Sequence, residues 1–576
     1  MLHAHSPLAA SAALLVTGAL HGNVIEIDQS GSGNNAVASQ VDSQRVGIRI
    51  EQANPYGIAI EAEAEQLRSA DATIRIEQRS EYAQENVAVA RQIDSADARI
   101  AIVQTGDFNH VGGFNQGAVQ MQAHRAAIEI AQHGGAFTTE AVQENVADAA
   151  VRLRQHDGLG GSTVWQRNGT AVRAEVEQWN YRSSNAIVQD GASHTAAVLI
   201  QGGDYGQARI EQYDVANTGL APIMAPRGGY NRLEQGGAVN QAEIVQRATV
   251  DSGAAIGQAG VSSVARIEQQ DQVASSRGNW GEIVQHGLFG QAALSQARND
   301  GAGGRIEQDG VDARATLGQS DNARTLAELV QRGEANEAAL VQTGNRDAAI
   351  RAEQDGSHYA LLRQDGNRQA GIALLQRSAI AAAEIVQTRS GAVTATVEQY
   401  ADHGSLVLSQ SDSADAAAQT RQAGAYDRIE LQQADSGQVR AELHQVGAQN
   451  LAVAVQARSR EALLRISQGT PAERAERGEA RIAQHDGERQ LAEIGQRGAD
   501  HLAEIDQQGL DQVARINQSG ELGLARIGQD GERLGAAVVQ IGLGGGNRVE
   551  IEQAGVGQAA AAAQLGAGNT AVIRQR

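Results

Sequence analysis

One short repeat, recurring every 11 or 12 residues, constrains this chain more than any other feature. Its unit reads A-x-I-x-Q-x-G, with Val or Leu often in place of Ile. The glutamines that mark the unit most regularly are Gln29, Gln40, Gln52, Gln331, Gln342, Gln354, Gln496, Gln507, Gln518, Gln529, Gln540, Gln564 and Gln575. A repeat that runs from about residue 23 to residue 576 predicts a single repeat domain without a second, unrelated one.

Two structures can carry a period of eleven residues, a right-handed coiled coil and a β-solenoid. Ala, Ile and Gln occupy positions i, i+2 and i+4, as in the segment Ile48–Gln52, and this spacing puts all three on one face of a strand. Gly follows Gln by two residues in most units. Because each Gly inside a helix costs about 1 kcal/mol relative to Ala, a helix would not survive the repeat. The sequence predicts an all-β solenoid.

Outward-facing charges predict how many strands make one coil. In alternate units the residue three before Gln changes sign, in the order Arg481, Glu504, Arg526 and Glu550. If two units form a coil, these opposite charges stack about 4.8 Å apart. We therefore expect two strands per coil, two parallel sheets and about 23 coils. The rule is partial, since Arg209 and Arg232 carry like charges. Between Gln212 and Gln235, Met224 stands where a glutamine is due, which predicts a degenerate unit.

The repeat positions have different expected roles. Ala and Ile should fill a thin core between the sheets, and inward-facing Gln should bond along the axis to the Gln of the next coil. Gly and Asn should form the turns of the arcs between strands. The arc positions that we assign in this way are Gly31, Asn34, Gly333, Asn336, Gly509, Gly566 and Asn569. Since one residue follows Gln575, the last coil is expected to present an uncovered strand edge.

Composition excludes several function classes. The 576 residues include no Cys and 3% aromatic residues, and 68 acidic residues outnumber 47 basic ones, all Arg, for a net charge of −21. This charge argues against nucleic acid as a partner, and no apolar run reaches the length of a transmembrane segment. The 14 His residues show no zinc-site spacing, and we find no nucleophile or phosphate-loop motif. We expect no enzyme, no metal site and no cofactor.

The first 22 residues differ from the repeat. An apolar stretch from Leu8 to Val16 is followed by small residues, which is typical of a secretory signal peptide. The segment before it carries His3 and His5 but no Lys or Arg. We interpret residues 1–22 as a signal peptide or a disordered N-terminus, and residues 23–576 as the solenoid.

The arcs and strands together resemble a known family. The pattern Q-x-G-x-x-N-x-A-x-x-x-Q is complete at Gln29–Gly31–Asn34–Ala36–Gln40, Gln331–Gly333–Asn336–Ala338–Gln342 and Gln564–Gly566–Asn569–Ala571–Gln575. It is similar to the curlin repeats of bacterial curli fibre subunits, and the likeness covers nearly the whole chain after Gly22. Two features depart from the family: its members have few repeats, and here the Asn position often holds another residue.

This resemblance implies a function. It implies a structural subunit of an extracellular amyloid fibre of a Gram-negative bacterium, serving the biofilm matrix and cell adhesion. The implied partners are further copies of the chain, an outer-membrane secretion pore and a nucleator. The alternative from the binding class is a β-solenoid adhesin that does not polymerise.

Overall fold

The computed structural model describes most of the chain. It covers residues 2–576 except for 7–11, 18–23, 32–33, 55–58, 81–84, 107–108, 112–116, 123, 136–137, 146, 158–160, 169–171, 180–181, 191–194, 203–204, 214–229, 237, 248–252, 260, 271–279, 299–301, 321–323, 345, 367, 378–379, 390, 401–402, 424, 426, 435–436, 459–460, 470–474, 486–487 and 543–545. Within these residues the secondary structure is strand, turn and bend, with no helix and hence none that could cross a membrane.

The chain divides into two compact units, and the first comprises Met1–Asp300. Its strands are β1 (Leu2–Ser6), β2 (Ala12–Thr17), β3 (Val24–Ser30), β4 (Asn34–Val41), β5 (Gly47–Ala53), β6 (Ala59–Leu67), β7 (Thr73–Arg79), β8 (Glu85–Ile93), β9 (Arg99–Thr105), β10 (Asn109–Val111), β11 (Ala118–Met121), β12 (Ala127–His133), β13 (Thr138–Glu144), β14 (Ala150–His156), β15 (Ser162–Val164), β16 (Val172–Trp179), β17 (Arg182–Asp190), β18 (Thr195–Gly202), β19 (Tyr205–Tyr213), β20 (Tyr230–Gly236), β21 (Val239–Arg247), β22 (Gly253–Ala259), β23 (Ser262–Gln270), β24 (Trp280–His286) and β25 (Phe289–Ala297).

The second unit comprises Gly301–Arg576. Its strands are β26 (Ala302–Asp309), β27 (Arg314–Ser320), β28 (Arg324–Arg332), β29 (Asn336–Thr343), β30 (Asp347–Asp355), β31 (His358–Asp365), β32 (Gln369–Gln376), β33 (Ile380–Thr388), β34 (Ala392–Gln399), β35 (His403–Ser411), β36 (Asp415–Gln422), β37 (Arg428–Ala434), β38 (Gln438–His444), β39 (Ala452–Ala457), β40 (Glu461–Ser467), β41 (Gly498–Ala499), β42 (Gly520–Glu521), β43 (Gly531–Glu532) and β44 (Gly555–Val556).

Within each unit the strands form two parallel sheets, and a strand pairs with the strand one coil away. In unit 1, β5 pairs with β7 in a register that sets Gln52 beside Gln78. In unit 2, β28 pairs with β30 and sets Gln331 beside Gln354. The fold is therefore an all-β solenoid with two strands per coil, as the sequence predicts. Strands β10 and β11 are a local exception, because both lie between β8 and β13.

Alternation along each strand builds the core. In β3 every second residue is buried, and Ile25 and Ile27 are 1% and 0% exposed. The next coil places Ile48 and Ile50 beside them. Small Ala residues such as Ala62 and Ala64 occupy the same positions in β6 and are also buried. Because Ala adds little bulk and Ile fills the remaining space, the two sheets pack closely around one narrow core.

The described residues form about 18 turns of the solenoid, somewhat fewer than the 23 coils expected. The difference arises after Ser467, where regular strands give way to the two-residue pairs β41–β42 and β43–β44. Residues that would be extended in a strand have left-handed backbone there, including Gln496 (φ 114°), Gln507 (φ 102°) and Gln529 (φ 78°). A left-handed residue turns its peptide groups away from the ladder direction. Alternating burial nevertheless continues as far as Gln553.

Pairing also corrects the interpretation of the segment around Met224. That residue lies outside those described, but β18 pairs directly with β20 and sets Gln201 beside Gln235. In this sheet, therefore, no strand lies between the coil of Gln201 and the coil of Gln235. Arg209 and Arg232 consequently lie in different sheets, and Arg209 instead faces Glu243 at 3.2 Å.

The N-terminal segment contributes two strands in this structure. β1 pairs in parallel with β3, and β2 with β4. The rest of residues 1–22 lies outside the described part of the chain. The signal peptide stays a prediction, because the pairing of β1 and β2 does not bear on whether this segment is cleaved.

Candidate functional site

Two columns of buried glutamine, one at the end of each sheet, are the most regular chemical feature of the solenoid. Gln52 donates from Nε2 to Oε1 of Gln29 at 2.9 Å, and Gln78 donates in turn to Gln52 at 2.9 Å. In the other sheet Gln66 donates to Gln40 at 2.9 Å. These side chains are 0–5% exposed. Each amide therefore acts as donor to one coil and acceptor from the next.

In many ladder glutamines the second hydrogen of the amide binds a backbone carbonyl on the opposite side of the core. Gln331 donates to the carbonyl of Glu337 at 3.2 Å, and Gln342 donates to that of Ala349 at 3.1 Å. Glutamine is long enough to reach both the neighbouring amide and the start of the following strand. A buried amide needs partners for all its polar atoms, so this arrangement explains why the position requires a primary amide and not an aliphatic residue.

The structure places the ladder glutamines assigned from the sequence as follows. Gln354 donates to Gln331 at 2.8 Å and Gln342 donates to Gln319 at 2.8 Å. In the C-terminal part the bonds, each at 2.9 Å, join Gln496 with Gln518, Gln507 with Gln529, Gln518 with Gln540, and Gln529 with Gln553.

Gln564 and Gln575 lie outside this hydrogen-bonded ladder, contrary to the prediction. Gln564 is half-buried and donates to the carbonyl of Thr570. Gln575 is exposed. Neither side chain is enclosed, so neither amide has the buried neighbour that the ladder needs.

The ladders reverse direction at places that the sequence does not mark. Gln143 donates to Gln166 at 3.0 Å, toward the C-terminus, although Gln120 donates to Gln92. A second reversal lies at the end of the regular strands. From Gln331 to Gln456 each amide donates toward the N-terminus, whereas Gln468 donates to Gln496 at 2.6 Å, toward the C-terminus. Gln445 and Gln468 are neighbours, because His444 pairs with Ser467. Their Oε1 atoms are both buried without a hydrogen bond. Two carbonyls thus face each other where the regular strands end.

The arc residues of the regular coils behave as predicted. Gly31 and Gly333 have left-handed backbone, with φ of 128° and 98°. Asn34 and Asn336 are 3% and 2% exposed, and Asn336 donates from Nδ2 to the carbonyl of Gly333 at 3.2 Å. Asn is therefore a buried hydrogen-bonding residue that closes the arc, in addition to forming a turn.

The arcs of the C-terminal part differ. Gly509 and Gly566 do not take the left-handed conformation, which falls on Leu510 (φ 64°) and Ala567 (φ 72°). Asn569 is exposed. The loss of regular strands shifts the turn by one residue, and so the same Q-x-G-x-x-N spacing produces a different arc.

A second polar column, beside the glutamine ladder, was missed from the sequence. Asn86 donates to Oδ1 of Asn109 at 2.7 Å, and Asn450 donates to Oδ2 of Asp427 at 2.9 Å. Gln178 also donates to the hydroxyl of Ser162 at 2.8 Å. The sequence does carry a signal for this column. Asn109, Asn336 and Asn450 each follow a ladder glutamine of the same sheet by five residues.

The outward charges pair across coils only in part. Arg526 lies 3.4 Å from Glu504, as the alternation predicts. Arg481 instead pairs with Glu479 in its own segment, and Glu550 pairs with Arg548 at 3.3 Å. Carboxylates two residues away along the chain compete for the guanidinium groups. The prediction from alternating charges considered only pairs between coils.

We expect replacement of Arg526 by Gln to cost less than about 1 kcal/mol, because both partners of the pair are substantially exposed, 52% and 37%. Urea denaturation at low salt and at about 1 M salt measures the effect, which should shrink as salt screens the pair. A larger loss that persists at high salt would show that this charge column holds the coils together.

Comparisons of the chain with protein-family models, curated proteins and solved structures find no match. The geometry of the ladders is thus the main basis for a functional proposal.

Proposed function

We propose that this chain is a structural subunit of an extracellular, curli-like amyloid fibre that polymerises by addition of coils to coils. The single observation that carries the proposal is the in-register repetition of one coil, in which backbone groups and a buried Gln amide are satisfied by an almost identical neighbour. Any coil of this kind is a template for the next, whether the next coil belongs to the same chain or to another copy.

The chemistry of the ladder supports this role. Gln331 and Gln342 are fully buried, and each bonds to coils on both sides. A buried amide without a neighbour costs about 1–3 kcal/mol, so a coil at an open end gains stability when another coil covers it. The resemblance to curlin repeats adds two further elements to the proposal: the chain is secreted through an outer-membrane pore, and its fibres grow from a nucleator.

A non-polymerising adhesin is the second candidate, and an exposed apolar patch favours it. Val261 and Leu288 are both 48% exposed, and Phe289 is 52% exposed. Ser262 pairs with Phe289, so the patch lies at the start of two neighbouring strands, β23 and β25. Exposed apolar residues on adjacent strands are typical of interaction surfaces.

The test is refolding of the purified full-length chain from denaturant, followed by thioflavin fluorescence and electron microscopy. We expect fibres that lengthen with time and a lag phase that shortens when sonicated fibres of the same chain are added. Fibres of an unrelated amyloid sequence are the control seed and should leave the lag unchanged. Folded rods that stay monomeric by light scattering, with or without seed, would overturn the fibre proposal in favour of the adhesin.

A further inference from the structure

One carboxyl group occupies a position that elsewhere holds a neutral amide. Asn336 and Asn450 each follow a ladder glutamine by five residues, and Asp427 follows Gln422 by the same interval. Asp427 is 2% exposed, as deeply buried as the Asn residues of this column. It lies between β36 and β37, at the arc that joins the two sheets of unit 2.

The surroundings of Asp427 satisfy only part of the carboxyl group. Asn450 on the following coil donates to Oδ2 at 2.9 Å, and the backbone N–H of Gly447 also donates to the carboxylate. Within the described part of the chain, Oδ1 has no hydrogen-bond partner. On the preceding coil the corresponding residue is Gly404, because Ser405 pairs with Arg428. Gly404 has no side chain that could donate.

Among the described residues, no cationic side chain contributes to the electrostatics of the Asp427 carboxylate. On the adjoining strands, as far as the structure describes them, the titratable and charged side chains are His403 on β35, Asp415 and Arg421 on β36, Arg428 and Glu430 on β37, and Arg440, Glu442 and His444 on β38. His403 and Arg428 are exposed, and Arg428 donates from Nε to Glu430 at 3.1 Å on the outer surface. Burial raises the pKa of Asp427 to about 7, even though the bonds from Asn450 and Gly447 lower it. An unpaired charge in a core is costly.

The same structure contains the neutral equivalent. In unit 1, Asn86 donates to Oδ1 of Asn109 at 2.7 Å, and both are buried. An amide at this position presents one donor and one acceptor along the column, so it needs no proton from solvent. Asp427 can present a donor only in its protonated form.

We propose that Asp427 makes closure of the coil between Gln422 and Gln445 dependent on uptake of one proton. The coil closes around the neutral acid and opens more readily when the carboxyl is ionised. Because the pKa in the folded state lies above the ordinary value of 3.8, the stabilisation is fully present below 3.8 and is lost as pH rises toward about 7. Mild acidification then promotes folding of this coil, independently of whether the chain polymerises.

His358 acts in the opposite direction and must be separated in the test. It is 4% exposed, and neither ring nitrogen has a partner among the described residues. Burial lowers its pKa to about 4, although the nearby Asp355 raises it. Its contribution is present above the ordinary value of 6.5 and is lost as pH falls toward 4. A pH profile of the unmodified chain therefore combines two opposing trends.

The test compares Asp427→Asn with the unmodified full-length chain at each pH, which cancels the contribution of His358. Hydrogen exchange followed by mass spectrometry reports opening of residues 422–450. The ratio of opening constants, unmodified over variant, should rise at least about tenfold between pH 5 and pH 8, since one pKa unit corresponds to a factor of ten.

Asp415→Asn is the matched control, because Asp415 begins β36 but is exposed. Its ratio should not change with pH. A ratio for Asp427→Asn that is constant from pH 5 to pH 8, or one that changes equally for Asp415→Asn, would overturn the proposal. Either result is independent of fibre formation, since exchange is measured before polymerisation begins.

Discussion

Replacing Gly356 by Ala is expected to open the coil around it, at a cost on the order of 3–5 kcal/mol. Gly356 has a φ of 152°, and a Cβ atom there would lie 1.2 Å from the carbonyl oxygen of Gly333 on the preceding coil. Gly333 approaches Gly310 in the same way, with a Cβ-to-oxygen distance of 2.6 Å. The obstacle is backbone and cannot rotate away, so the coils themselves must separate.

Gly318→Ala provides the matched control. Gly318 lies within β27, and a Cβ there meets no atom within 4 Å. We expect it to be neutral or slightly stabilising, because Ala restricts the unfolded chain more than Gly does. Urea denaturation, together with hydrogen exchange of residues 333–366, distinguishes the variants. Equal midpoints for both would show that the arcs tolerate side chains and that the close stacking is not needed.

Replacing Gln433 by Leu should break one ladder and cost about 2–5 kcal/mol, since it leaves two buried polar groups unsatisfied. Gln433 is fully buried; it donates to Gln410 at 2.6 Å and accepts from Gln456 at 3.2 Å. Leucine is similar in size, so the loss reports hydrogen bonding and not a cavity. Gln410 loses its donor and Gln456 its acceptor.

The neighbouring residue supplies the control. Gln432 is on the same strand but faces outward and is exposed. Gln432→Leu should change stability by no more than about 0.5 kcal/mol. Exchange of amides in β35 and β39, which flank β37 in the sheet, should accelerate in Gln433→Leu alone. Similar effects for the two substitutions would mean that the inward amides contribute no more than surface ones.

The spacing of Ala, Ile and Gln was enough to predict the strands and their inward faces. In β3, Ile25, Ile27 and Gln29 are the buried positions, as alternation requires. Alternation is a local property, because successive side chains of a strand point to opposite sides whatever its partners are. The sequence also predicted two strands per coil. The ion pairs between coils on which that prediction was based form for Glu504 and Arg526, but Arg481 pairs within its own segment.

Sequence alone thus determined the fold class, the parallel stack and the residues that could form the ladders. Only the tertiary structure decided that Gln564 and Gln575 lie outside them, that regular strands end at Ser467, and that Asp427 is buried in a column of amides. The physical reason is that burial and backbone conformation depend on the neighbouring coil. A repeat specifies which face of a strand is apolar, whereas enclosure of a polar group depends on what packs above and below it.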